Sequence, residues 1–180
     1  MVLTADAFWR LAEEGLLDEV KTELIGGSIH ETPWQGPPHW AVYASLQEAL
    51  CKGPMGDWQA FCTVPVNISP VDVFEPEIVV FRDRNRIPIP DDVLLIVEIA
   101  VRSLEVDLGP KRQACALAAV PFYWVFDVNA RTLRTFEEPS GGEYRVSAEY
   151  GMGDRVGVPG LEIDLDLALV FSRLENGVGH

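Results

Sequence analysis

The chain has 180 residues, 48% of them hydrophobic, and sets 14 basic side chains against 28 acidic ones for a net charge of −14. That length and apolar fraction are enough for one proper core, so a single domain over residues 1–180 is expected. A pI near 4.5 favours solubility and counts against a broad nucleic-acid-binding surface. The N-terminal stretch MVLTADAFWRLAEEG has no basic region followed by a long apolar one, and no run elsewhere reaches about 18 apolar residues. This pattern predicts a cytoplasmic protein with no membrane span. Cys51, Cys62 and Cys115 are odd in number and widely spaced in apolar surroundings, which predicts buried thiols rather than a disulfide or zinc site.

In chain order, Thr4 to Leu16 predicts an amphipathic helix with Thr4 as N-cap, apolar positions at Phe8, Leu11, Ala12 and Leu16, and an end at Gly15. Lys21 to His30 reads as a strand pair, or one strand kinked at Gly26-Gly27, with Glu23 just before the turn. A loop from Pro33 to Pro38 containing Trp34 leads to a helix from His39 to Cys51, with Trp40, Tyr43, Leu46 and Leu50 as its apolar face. Trp58 to Ile68 is rich in aromatic and β-branched residues and predicts a strand, with Pro65 at an edge or bulge. Glu77 to Phe81 is a short strand entered through Pro76. If the extended conformation begins early, period two puts Glu75 and Glu77 on one side, one as a ligand and the other as a neighbouring charge.

Arg82, Arg84 and Arg86 form the one compact basic cluster, read as a solvated loop with a phosphate-facing strip as the alternative. Val93 to Val101 is an aliphatic run that fits a strand covered on both faces. Asp107 to Ala119 follows as a helix and Phe122 to Val128 as a second apolar strand, completing a strand–helix–strand unit. Thr132 to Glu137, the Gly141-Gly142 turn and Tyr144 to Ala148 predict a C-terminal β-meander. GLEIDLDLALVF adds a strand or short helix. Trp34, Trp40, Trp58, Tyr123 and Trp124 are expected in the core, because no basic residues interleave with them.

Glu98 interrupts the aliphatic run, and an ionised carboxylate there costs several kcal/mol unless a cation, a partner or water compensates it. Two strand-end carboxylates, Glu77 and Glu98, make an oxygen-lined pocket suited to Mg²⁺ or Mn²⁺, and Lys111 lies thirteen residues beyond Glu98. A lysine beside such a metal could orient or help deprotonate an attacking water, or steady charge on a phosphorane-like transition state. The bland alternative is a buried Lys–Glu ion pair tying helix to sheet. Glu23 could equally be a solvated carboxylate at a strand end, and His39 a first-turn residue of its helix. A carboxylate-pair glycosidase would leave Lys111 idle.

The order of these parts is helix, Glu23-Leu24-Ile25-Gly26-Gly27, helix opened by His39, Pro76-Glu77 and Val97-Glu98-Ile99. Asp107-Leu108-Gly109-Pro110-Lys111 and Val120-Pro121-Phe122-Tyr123-Trp124-Val125-Phe126-Asp127 follow. Over roughly residues 5–170 it resembles the Uma-type restriction endonuclease family of the PD-(D/E)XK nuclease-like superfamily. The resemblance implies an α/β fold with a restriction-endonuclease-like mixed central sheet flanked by helices, and a metal-dependent endonuclease acting on DNA phosphodiester bonds. It implies Glu77 and Glu98 as metal carboxylates, the Ile99 carbonyl as a further ligand, and Lys111 as the lysine, moved onto the next helix because Ala100 fills its usual place. Glu23 would complete the pocket, His39 would lie on the substrate side, and Asp107 would orient Lys111. The superfamily resemblance also implies a homodimer, which would suit double-strand cutting. Glu77 stands where the family mostly has aspartate, Val101-Arg102-Ser103 replaces a small polar turn, and Cys115 replaces a common tyrosine. These departures, with the net charge, support the alternative of a catalytically degenerate homodimeric binding or regulatory module of the same fold.

Overall fold

In the computed structural model, which describes residues 2–17, 20–32, 35–52, 56–82 and 85–176, the first helix, α1, spans Ala5–Glu13 and is capped by the Thr4 side chain, which accepts from the Ala7 N–H. The helix ends before Gly15, whose φ of 71° lets the chain reverse. Leu16 therefore falls past the helix and is exposed. Strands β1 (Thr22–Ile25) and β2 (Ser28–Glu31) form an antiparallel hairpin closed by Gly26 and Gly27, with Ile25 opposite Ser28. Both glycines have positive φ, as a two-residue hairpin turn requires.

Helix α2 spans Gly36–Leu50, three residues earlier than the expected start at His39. Pro37 and Pro38 sit in its first turn, where their missing N–H groups cost no intrahelical bond. Its buried stripe is Val42, Leu46 and Leu50, at the four-residue spacing of one helix face. Trp40 lies off that stripe and is 63% exposed, stacked on Tyr43 with ring centroids 5.4 Å apart, so its expected place in the core is wrong. Trp58 is half-buried beneath the Arg82 guanidinium at 4.2 Å, while Tyr123 and Trp124 are in the core as expected. Trp34 and Arg84 lie outside the described residues. Arg86 is paired with Asp92 at 2.8 Å while its side chain stays partly exposed.

The run expected as one strand from Trp58 to Ile68 is two, β3 (Gln59–Cys62) and β4 (Val66–Ser69), in different sheets. The break falls at Thr63, with φ of 51°, followed by Pro65, which has no N–H for a ladder. After β5 (Asp72–Phe74), β6 (Ile78–Phe81) and β7 (Val93–Ala100), the next helix begins at Leu104 rather than Asp107. It runs as α3 (Leu104–Val106), a π-helical turn over Asp107–Lys111, and α4 (Arg112–Leu117). Strands β8 (Phe122–Asp127), β9 (Thr132–Ser140) and β10 (Glu143–Tyr150) follow. The final segment gives a strand and a helix: β11 (Arg155–Gly157) pairs with β12 (Asp164–Asp166), and α5 (Leu167–Asn176) closes the chain.

The central sheet is mixed, in the order β10-β9-β8-β7-β6-β3, and its one parallel pair is β7 with β8. A second, four-stranded sheet has the order β2-β1-β5-β4. Strands β8, β9 and β10 are the expected meander, each antiparallel to the next. One face of the central sheet packs with α2 and α5 through Leu46, Leu50, Leu95, Val97, Phe126 and Phe171. The other packs with β4 and α4 through Val66, Phe74, Ile96, Cys115, Tyr123 and Val125. Cys115 is buried as expected; Cys51 and Cys62 are only half-buried, and although distant in sequence their Sγ atoms lie 3.2 Å apart as free thiols. No described helix is long and apolar enough to cross a membrane.

Candidate active site

Side chains on β7 alternate between the two faces, so Leu95, Val97 and Ile99 enter the α2–α5 core while Ile96, Glu98 and Ala100 face the second layer. Glu98 is thereby carried into the interior, 3% exposed, at the end of the sheet where β6 has already stopped. Since Ile78 is the partner of Val97, the residue before it, Glu77, lies alongside the next stretch of β7. Its Oε2 accepts from the Ile99 N–H at 3.1 Å, continuing the ladder with a side chain. The N–H and C=O of one strand residue point to the same edge, so the Ile99 carbonyl faces Glu77 as well. The imidazole Nε2 of His39, from the first turn of α2, lies 3.1 Å from Glu77 Oε1.

From the other sheet, β1 contributes Glu23, whose Oε1 accepts from the Glu75 N–H at 2.8 Å and from Lys111 Nζ at 3.0 Å. Lys111 reaches this point because of the π turn. Pro110 has no N–H to give and Gly109 adopts φ −102°, ψ −108°, which interrupts regular winding. Asp107 and Lys111, four residues apart, both end up buried on the inner side. Lys111 Nζ lies 2.7 Å from Glu98 Oε1 and 3.8 Å from Asp107 Oδ1, with the Phe74 ring 5.3 Å away. Asp107 is fixed from both ends: Ser103 Oγ donates to its Oδ2 at 2.6 Å, and the Tyr123 hydroxyl donates to its carbonyl at 2.9 Å.

The structure therefore gathers Glu23, Glu98, Asp107 and Lys111 in direct contact, with Glu77 and His39 joined to each other beside them. Glu23, Glu77, Glu98, Asp107 and Lys111 line one cavity of ≈ 220 Å³. Glu75, offered by periodicity as a second charge, lines it too, 3.5 Å from Lys21. Sequence reasoning missed Gln35, whose Oε1 accepts from the Val101 N–H at 2.9 Å, and Ser103. Gln35 belongs to no periodic pattern, and Ser103 stands out only as part of the Val101-Arg102-Ser103 turn that departs from the family.

Four buried carboxylates around one ammonium leave an excess of negative charge, and the acidities show where it is felt. Burial pushes the Glu98 carboxyl well above its usual range; Lys111 opposes this, and Glu77, Asp107 and Glu23 add to it. Burial likewise raises Asp107 to about 6 against the pull of Lys111 and the Ser103 hydrogen bond. For Glu77 burial acts upward, but hydrogen bonds from His39 and Glu98 and the charges of Lys21 and Lys111 outweigh it, bringing it down to about 2. Burial would lower Lys111, yet Glu98, Glu23, Asp107 and Glu77 together hold its ammonium well above the ordinary lysine value.

The oxygen-only donor set suits a hard divalent cation. Glu98 Oε1 is buried with an ion pair but no aligned hydrogen bond, an acceptor whose capacity is not filled. Among the described residues no three acidic, histidine or cysteine side chains stand ready as a ligand cluster, since the Lys111 ammonium sits between Glu23 and Glu98. The carboxylate oxygens thus fit a hard cation by chemistry, while the Lys111 ammonium holds the position between Glu23 and Glu98.

The fold is shared with a crystal structure from Anabaena variabilis described as "a putative nuclease belonging to DUF820". The two align with a TM-score of 0.70 and 18% identity over 96% of this chain and 99% of that one. No curated protein matches the sequence. Residues 6–169 match the model of the Uma2 family, whose description is "Putative restriction endonuclease". The match runs from α1 into α5 and takes in every acidic side chain of the cavity, so the chain belongs to the Uma2 family.

Proposed function

We propose that this protein is a metal-dependent endonuclease that hydrolyses DNA phosphodiester bonds, with Mg²⁺ or Mn²⁺ held by Glu77, Glu98 and the Ile99 carbonyl. The observation that carries the reading is Lys111 Nζ at 2.7 Å from Glu98, inside a cavity that also contains Glu77. The family match and the likeness to a protein described as a nuclease support it from outside the site. A divalent cation at these oxygens supplies Lewis-acid stabilisation of the phosphate and of the charge that develops on it.

The chain's own groups account for the rest. Lys111, beside Glu98, orients the attacking water and donates hydrogen bonds to the pentacoordinate phosphate. Asp107 and Glu23 hold the ammonium from two sides, so it stays charged and aimed. His39 fixes the Glu77 carboxylate on the substrate side. A homodimer would place two such sites on one duplex, which suits double-strand cutting, and a cytoplasmic location gives access to DNA.

Purified protein with Mg²⁺ or Mn²⁺ is expected to nick plasmid DNA, while Glu98→Ala and Lys111→Ala do not. Wild-type protein inert with every metal and substrate would count against the assignment. A second reading, a metal-free binding or regulatory module, is favoured by the closeness of Lys111 to two carboxylates, which already compensates part of the buried charge. Heat on titration with Mn²⁺ separates the two, since the module has no need of a cation.

A further inference from the structure

We infer that Arg102 is the phosphate-anchoring residue of this site, engaging a non-bridging oxygen of the DNA strand at the cavity mouth; the inference rests on the nuclease reading above. The cavity is lined by six carboxylates, Glu23, Glu31, Glu75, Glu77, Glu98 and Asp107, against three permanent cations, Lys21, Lys111 and Arg102. Two of those cations are committed. Lys21 lies 3.5 Å from Glu75 and also donates to the Glu75 carbonyl, and Lys111 is held by Glu23 and Glu98. Arg102 is exposed, lines the same cavity, and its guanidinium has no partner among the described residues. Even a divalent cation would leave this rim negative, so a polyanion needs a further positive contact to dwell there.

The turn that carries Arg102 is held in place on both sides. The Val101 N–H donates to Gln35 Oε1 at 2.9 Å, and the Val101 carbonyl accepts from Asn129 Nδ2 at 2.8 Å. Ser103 is tied to Asp107 by its hydroxyl, and its carbonyl accepts the N–H groups of Val106 and Asp107 at 2.9 Å each. Between these fixed neighbours Arg102 is the side chain left facing outward. A guanidinium fork on a rigid turn can bind phosphate bidentately with little ordering cost. The same bonds link its position to Asp107, and through Asp107 to Lys111, so the anchor and the cavity interior keep register.

The test measures binding of a short fluorescent single-stranded oligonucleotide by anisotropy in Ca²⁺ across a salt series. It compares wild-type protein with Arg102→Ala, Arg102→Lys and Arg145→Ala. Arg145 is an exposed arginine on β10 away from the cavity, so its removal changes the net charge equally. Loss of Arg102 is expected to weaken binding about 10- to 100-fold and to reduce the salt slope by about 0.7, the share of one single-strand phosphate. Arg102→Lys should recover part of the affinity, and Arg145→Ala should resemble wild type. In plasmid nicking with Mg²⁺, Arg102→Ala should raise KM more than it lowers kcat. If wild-type protein nicks DNA but Arg102→Ala binds with unchanged affinity and slope, or no worse than Arg145→Ala, the anchor is overturned and the nuclease reading stands. If wild-type protein neither binds nor nicks, both fall together.

Discussion

Toward α2 and α5, strand β7 presents Leu95, Val97 and Ile99 to a cluster of aliphatic and aromatic side chains; toward β1 and α4 it presents Ile96 and Ala100 with Glu98 between them. The first face gains from every side chain it buries, roughly 25 cal/mol per Å² of apolar area. On the second face, Glu98 is buried and paired with a lysine that it shares with Glu23 and Asp107. The same strand, with the same backbone ladder, thus supplies stability on one side and gives part of it up on the other. Strain of that kind is commonly retained where a site must do chemistry, because the groups that destabilise the empty fold are the ones a ligand relieves.

The comparison is broken most directly by truncation on each side. Glu98→Ala and Lys111→Ala are expected to lower plasmid nicking about 100-fold or more. Leu95→Ala, a cavity in the apolar face, should leave the specific activity of the folded fraction within a few fold. Equal losses from all three would mean that the acidic face has no special part in the chemistry.

Stability sharpens the contrast. Lys111→Ala leaves buried carboxylates without their cation and should cost about 3–5 kcal/mol in urea unfolding at pH 8. The sign of its pH dependence follows from Glu98 and Asp107, whose folded-state pKa values are raised, Asp107 from 3.8 to about 6. The folded state then holds more protons than the unfolded one, so stability falls as pH rises through that window and the deficit shrinks toward pH 5. Leu95→Ala should cost about 2–5 kcal/mol, with no such dependence on pH. The smallest effect is expected from Glu98→Gln. Removing a charge that burial opposes should leave stability unchanged or raise it by about 1 kcal/mol at pH 8, while abolishing nicking.

How far the sequence discloses this depends on whether a feature is local. The Gly26-Gly27 hairpin, the aliphatic β7, the meander after Val128 and the candidate residues of the cavity all follow from short-range pattern and from the family's order of motifs. The assembly of two sheets does not. Thr63 and Pro65 divide what reads as one strand, and the partners of β3 and β4 lie far along the chain. The helical segment begins at Leu104 rather than Asp107, because α3 runs straight into the π turn over Asp107–Lys111, and Pro110 inside that turn hides the continuity. Trp40 shares the apolar spacing of Tyr43, Leu46 and Leu50, yet the stripe that α2 buries is set by Val42, Leu46 and Leu50. The contact of Cys51 with Cys62 is likewise invisible in spacing, since it arises where the end of α2 meets β3.

The measurement closest to the central claim is calorimetric titration of Mn²⁺ into the wild-type protein and into Glu98→Gln at pH 8, repeated on wild type at pH 5. If the end of β7 is a cation site, wild-type protein binds at pH 8, binds more weakly at pH 5 as Asp107 takes up a proton and protons compete for the buried carboxylates, and Glu98→Gln gives no site-specific heat. Absence of binding to wild type at pH 8, or binding unaffected by Glu98→Gln, would contradict it.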